Sequence, residues 1–144
     1  MRITDALLGE HGVFYALFDQ LEASLAEVGT ARELAVAVEL LRAALVSHAR
    51  LEDELLFPEL RGEGEGSSPG GRSESHEIDG LLGRVVAMTD IEAMRAAVSS
   101  LLELMREHFI KEERMVLRAA ASRFDESKQQ ELGRQWAKLR SVEL

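Results

Sequence analysis

The chain has 144 residues, the size of one ordinary domain, and its 46% hydrophobic content can fill a core without disulfides or a second domain. Acidic residues outnumber basic ones 26 to 17 and no Lys/Arg cluster interrupts that balance, which argues against nucleic acid and anionic membranes as partners. With no cysteine, disulfides, thiolate-held zinc, iron–sulfur clusters and a cysteine nucleophile are excluded together, so any metal must be held by nitrogen and oxygen.

The opening MRITDALLGEHG places Asp5, Glu10 and His11 where a signal peptide needs an apolar run. LAVAVELLRAALV is too short to span a bilayer and contains Glu39 and Arg42, so a cytoplasmic protein is expected. Aromatic residues are few and apolar residues recur at three- and four-residue steps, which predicts helices throughout. The first, about 3–28, carries the stripe Leu7, His11, Phe14, Phe18, Leu21, Leu25 and stops near Gly29. Thr30 is placed to cap the second, about 31–60, whose stripe Leu34, Val38, Leu41, Leu45, His48, Glu52, Leu55 runs on to Pro58.

The stretch GEGEGSSPGG, 62–71, reads as a solvated loop, flexible over about 61–73. Its Gly-x-Gly pattern does not make a phosphate loop, because no strand precedes it and the Gly-Lys-Ser/Thr ending is missing. A third helix, about 74–88, presents Ile78, Leu81, Leu82, Val85 and Val86, with His76, Gly80, Gly83 and Ala87 on a neighbouring strip. Thr89 or Asp90 caps a fourth, about 91–121, with Val98, Leu101, Leu104 or Met105, His108, Glu112 and Met115 on one side. A short fifth helix, about 126–141, includes Trp136. Four long helices with short connections predict an all-α fold. The expected architecture is one domain over 1–144: an antiparallel four-helix bundle at about 3–121, with the fifth helix packed across an end or edge.

Each of the first four helices carries one histidine, and three of the four replace an apolar residue in a core stripe. His48 is followed by Glu52 and His108 by Glu112, each one turn further on, so each pair can offer a nitrogen and an oxygen to a common point. His11 and His76 bring the set to six. A buried histidine can also be a hydrogen-bonded core residue, and Glu112 can pair with a lysine or arginine. One histidine per helix, with both glutamates in the core stripe, favours a cation, because a buried carboxylate without a partner is strongly destabilising. Histidine and carboxylate suit iron, manganese or zinc, and six ligands favour two ions over one.

Other constellations fit less well. No histidine has a glutamate three residues before it, as the ferritin-like di-iron pattern requires. His-Glu-x-x-His is absent, and a Ser/His/Asp triad leaves three histidines unexplained.

HARLEDELLFPEL, from His48 to Leu60, is similar to the second-helix motif of hemerythrin-like proteins of the HHE cation-binding type. HFIKEERMVL resembles the fourth-helix motif, and GEHGVF and ESHEID the weaker first and third. The resemblance covers residues 3 to about 120. It implies that His11, His48, His76 and His108 are terminal ligands and that Glu52 and Glu112 bridge two iron ions, oxo- or hydroxo-bridged, with zinc or manganese as alternative occupants.

One position departs from the family pattern: Gly80 stands where respiratory members have a second third-helix histidine, and with Gly83 it would leave room beside one iron. Asp79, Tyr15 or Glu77 is a candidate replacement ligand; otherwise water or substrate fills the gap. The expected function is a di-iron protein that binds or processes dioxygen, peroxide or nitric oxide. The alternatives are an iron or oxygen sensor without turnover and a plain helical interaction module. The sequence identifies no protein partner or reductant.

Overall fold

The computed structural model describes the backbone over residues 1–61 and 71–143 and side chains over 1–60 and 74–143. The expected glycine-rich loop falls largely on 62–70, outside the described residues. Among the described residues the chain is all helix, with no strand.

Helix α1 is Ile3–Ser24. Helix α2, residues 31–61, joins Ala31–Leu51 to Phe57–Arg61 through a π-helical turn, Glu52–Leu56. Helix α3 is Gly71–Val86. Helix α4, residues 91–123, has the same construction as α2: Ile91–Glu112, a π-helical turn Glu113–Leu117, then Arg118–Arg123. Helix α5 is Glu126–Arg140. Arg61 and residues 71–73 are helical, not loop as expected: no proline lies at 71–73 to remove a donor, and helix formation extends into them.

The caps lie where the side chains can supply them. Thr30 Oγ1 accepts from Glu33 N at 3.2 Å while Glu33 Oε2 accepts from Thr30 N at 3.1 Å, a reciprocal capping box. Asp90 and Asp125 cap α4 and α5 by accepting from the backbone three residues on. Helix α2 passes Pro58 without stopping. The turn before it is π-helical, with Phe57 N–H bonded to the Glu52 carbonyl five residues back, and that wider turn accommodates the proline ring. The second π-turn changes which residues of α4 face inward. Met115, expected on the inner side, is 57% exposed, while Val116 and Leu117 are buried. At more than four residues per turn, the inward position after Glu112 comes one residue later than α-helical spacing predicts.

Two apolar clusters hold the bundle. One contains Phe14, Phe18, Leu34, Val38, Leu82, Val98, Leu102, Met105 and Phe109. The other contains Ile3, Leu7, Leu51, Leu55, Leu56, Val116, Leu117 and Leu132. Each such side chain contributes about 1.5–3 kcal/mol on burial. His11 lies between Leu7 and Phe14 in sequence, His48 between Leu41 and Leu51, and Glu112 between Phe109 and Val116. A polar layer is therefore sandwiched between the two apolar clusters.

Helix α5 lies along α1. Thr4 Oγ1 and N both donate to Gln129 Oε1, at 3.3 and 3.5 Å, and Gln129 Nε2 donates to the Ala120 carbonyl at 3.1 Å. At Gly133 the backbones approach so closely that a Cβ would sit 2.3 Å from the Met1 carbonyl oxygen, so only glycine fits. Among the described residues no helix is long and apolar enough to cross a membrane.

Candidate metal centre

His11, His48, Glu52 and Glu112 are all buried, and each offers one ligand atom to a group in which every pair lies within 4.8 Å. They come from three helices: α1 supplies His11, α2 supplies His48 and Glu52, and α4 supplies Glu112. The Nε2 atoms of His11 and His48 face each other at 3.1 Å. Glu52 Oε1 lies 3.4 Å from His48 Nε2, and Glu112 Oε2 lies 3.5 Å from His11 Nε2. His108 adjoins the group, its Nε2 3.9 Å from Glu112 Oε2, and its side chain is 9% exposed. Phe109 closes one wall by stacking on the His11 ring, centroids 4.1 Å apart and planes 6° from parallel.

Three acids outside this group orient the histidines. His48 Nδ1 meets Glu10 Oε2 at 2.6 Å, His11 Nδ1 meets Glu113 Oε1 at 3.0 Å, and His108 Nδ1 meets Glu74 Oε2 at 3.1 Å. A carboxylate on one ring nitrogen fixes the tautomer and directs the other nitrogen inward as a more basic donor to a metal. Glu113 also accepts from the Tyr15 hydroxyl at 3.0 Å, and Glu74 also binds Lys111.

The charges are poorly balanced without a cation. Glu52 Oε1 and both carboxylate oxygens of Glu112 are buried with no hydrogen-bond partner among the described residues. Burial and the neighbouring Glu52 push the Glu112 carboxyl up to about 9. Burial alone would lower His48, but its contacts with Glu10 and Glu52 outweigh that and raise it to about 10. His11 is lowered by burial and by the His48 charge. The buried Glu112 oxygens therefore favour a proton or a cation beside them. Nitrogen and oxygen donors on separate, rigid helices, with carboxylate oxygens left over, fit a divalent or trivalent cation such as iron, manganese or zinc.

The structure brings five of the six expected residues to one layer and leaves out His76, whose side chain is exposed. The cause is helical phase. The inward face of α3 is set by Ile78, Leu82 and Val85, and His76, two residues from Ile78, lies about 200° around the helix from it. His76 instead lines a surface cavity of about 240 Å³ with Arg50, Asp53 and Phe57.

From α3, Ser75 and Ile78 reach the layer, on the wall of a small cavity of about 30 Å³ shared with Glu52, His48 and His108. Gly80 is likewise exposed, so the space beside the centre belongs to Ser75 and not, as expected, to Gly80. None of the three candidate replacement ligands joins the group. Asp79 is held by Arg42, Nε to Oδ1 at 2.6 Å, and Glu77 is exposed. Tyr15 is committed to Glu113, and burial together with that bond raises its hydroxyl to about 12, which keeps it protonated. Sequence reading did not single out Glu10, Glu74 or Glu113. Glu10 and Glu113 each adjoin an expected ligand, but one adjacent acid is weak evidence in so acidic a chain.

Comparison with curated proteins and with solved structures finds no match. The family model of the hemerythrin HHE cation-binding domain matches residues 2–120, a span that includes the three helices that carry the cluster. The chain belongs to the hemerythrin HHE cation-binding family, and its buried His/Glu cluster fits a metal-binding site.

Proposed function

We propose that the centre is a non-haem iron site that takes two iron ions and handles dioxygen, peroxide or nitric oxide. The observation that carries this reading is that Glu52 Oε1 and both oxygens of Glu112 are buried without hydrogen-bond partners among the described residues, beside His11 and His48 and with His108 adjoining. His11 and His48, with Glu52 and Glu112, would hold one ion; His108, with the remaining carboxylate oxygens, would hold the second. When bound, iron supplies one-electron redox chemistry toward small oxidants, which this chain's own side chains lack.

The residues around the centre have distinct tasks. Glu10, Glu113 and Glu74 keep the three imidazoles oriented by accepting at Nδ1, which turns each Nε2 toward the centre. Loading displaces the protons held at His48 and Glu112, so affinity rises with pH. Phe109, Phe14 and Met105 exclude bulk water. On the α3 side no histidine completes the shell, and the 30 Å³ cavity beside Ser75 accommodates a water-sized or diatomic ligand. An incomplete shell is the mark of a reactive metal site.

A second reading, a sensor that reports metal or oxidant without turnover, is favoured by one observation: the hydrogen-bond chain from His48 runs through Glu10 to helix α5.

The test is to quantify metal in protein from iron-supplemented cells and record visible spectra before and after peroxide and dithionite. About two irons per chain with a redox-responsive band are expected. Less than about one iron, or a colourless zinc protein, overturns the proposal.

A further inference from the structure

Helix α5 lies outside the segment that matches the family, yet it reaches the centre through one acid. Gln129, Gly133, Trp136 and Arg140 follow one another at three- and four-residue steps, with Leu132 beside Gly133, forming a face that packs on α1. Two of these residues converge on Glu10. Trp136 Nε1 donates to Glu10 Oε1 at 2.7 Å. Arg140 grips both oxygens, Nε to Oε1 at 2.7 Å and Nη2 to Oε2 at 2.9 Å. Arg140 Nη1 also donates to the hydroxyl of Ser47, the residue before His48. Glu10, with a side chain 13% exposed, passes the connection to His48 Nδ1 at 2.6 Å.

We infer that Trp136 and Arg140 are positioning residues for the metal centre, and that seating of helix α5 and loading of the metal favour each other. A cation bound at His48 would make its Nδ1–H a stronger donor, which favours Glu10 held fixed as the acceptor. Only a seated α5 supplies the Trp136 and Arg140 donors that hold it so. The coupling is reciprocal by thermodynamic necessity: if α5 tightens metal binding, metal tightens α5. Other contacts of α5, such as Arg2 with Glu126 at its far end, have no such line to a ligand. The inference rests on the cluster being a metal site, but it requires neither iron nor redox turnover.

The experiment uses the full chain and Co2+ alone. Binding is measured by equilibrium dialysis, and exchange of the backbone amides of residues 126–140 is followed by hydrogen–deuterium mass spectrometry with and without the metal. Trp136→Phe, which keeps an aromatic ring but removes the donor, and Arg140→Gln are each expected to weaken Co2+ binding about 10-fold or more. Arg140→Lys, which keeps the charge but not the fork, should recover part of the loss. Glu126→Gln should bind like the parent protein. Co2+ should slow exchange in α5 of the parent and do so less in Trp136→Phe. Parent-like binding by both Trp136→Phe and Arg140→Gln, or an equal loss in Glu126→Gln, overturns the inference and leaves the metal site standing. Absence of Co2+ binding by the parent overturns both.

Discussion

Replacing Glu112 by glutamine should have opposite effects on the metal-free and metal-loaded protein. Its side chain is 2% exposed, and its two oxygens have no hydrogen-bond partner among the described residues. In the unfolded chain the carboxyl ionises near 4.5; in the folded, metal-free chain it holds its proton up to about 9. The folded state therefore binds an extra proton throughout that window. Because the native form carries more protons than the unfolded form, stability falls as pH rises from about 4.5 to about 9. His48, raised from 6.5 to about 10, adds a second extra proton with the same sign over the upper part of the range.

By pH 7 the Glu112 contribution alone is roughly 3 kcal/mol of stability lost relative to acid conditions. Glu112→Gln removes this titration. The metal-free variant should equal the parent near pH 4.5 and exceed it by up to that amount at pH 7. With metal bound, the variant should be the weaker protein, because a carboxylate of the cluster proposed to hold the metal has become an amide and binding free energy is folding free energy. Urea denaturation at several pH values, with chelator and with metal, measures both arms. A metal-free Glu112→Gln that follows the parent's pH dependence would refute the assigned burial and charge.

Three further outcomes follow from the geometry. His76→Ala should retain the parent's metal content by elemental analysis, whereas His11→Ala should lose most of it, since His11 lies in the cluster and the His76 side chain is exposed. Phe109→Ala should cost about 3–5 kcal/mol in denaturant melts and speed metal loss to a chelator, because the ring is 2% exposed and stacks on His11. Thr30→Ala should cost about 1 kcal/mol by thermal denaturation with metal content unchanged, because it breaks a capping box far from the cluster.

The helices were legible because each carries a sustained apolar stripe and a stop or cap that depends only on neighbours in sequence. Thr30 needs only Glu33, and Asp90 only Ala93, to do its work. The stripes of α1 and α2 also put His11, His48 and Glu52 in the core before any packing is known. Other features depended on contacts remote in sequence. Arg140 finds Glu10 across 130 residues, and nothing local in either helix announces the pairing. The two π-turns were equally hidden, since no residue type specifies them, and the one in α4 exchanges Met115 for Val116 on the inward face.

The third helix shows why counting ligands per helix is a weaker guide than phase. A histidine is useful to a buried centre only if it shares an azimuth with the apolar residues that seat its helix, and on α3 that azimuth belongs to Ile78, Leu82 and Val85. One residue of displacement is about 100°, enough to carry an imidazole from the core to solvent. Ser75 therefore occupies the place that His76 fills only in the sequence pattern, while Glu74, one turn before Ile78, reaches His108 and orients it. Helix α3 thus places an acid and a small hydroxyl beside a cluster whose histidines and glutamates come from the other three helices. The small cavity on that flank is accordingly walled by Ser75 and Ile78, and not by the glycine at position 80.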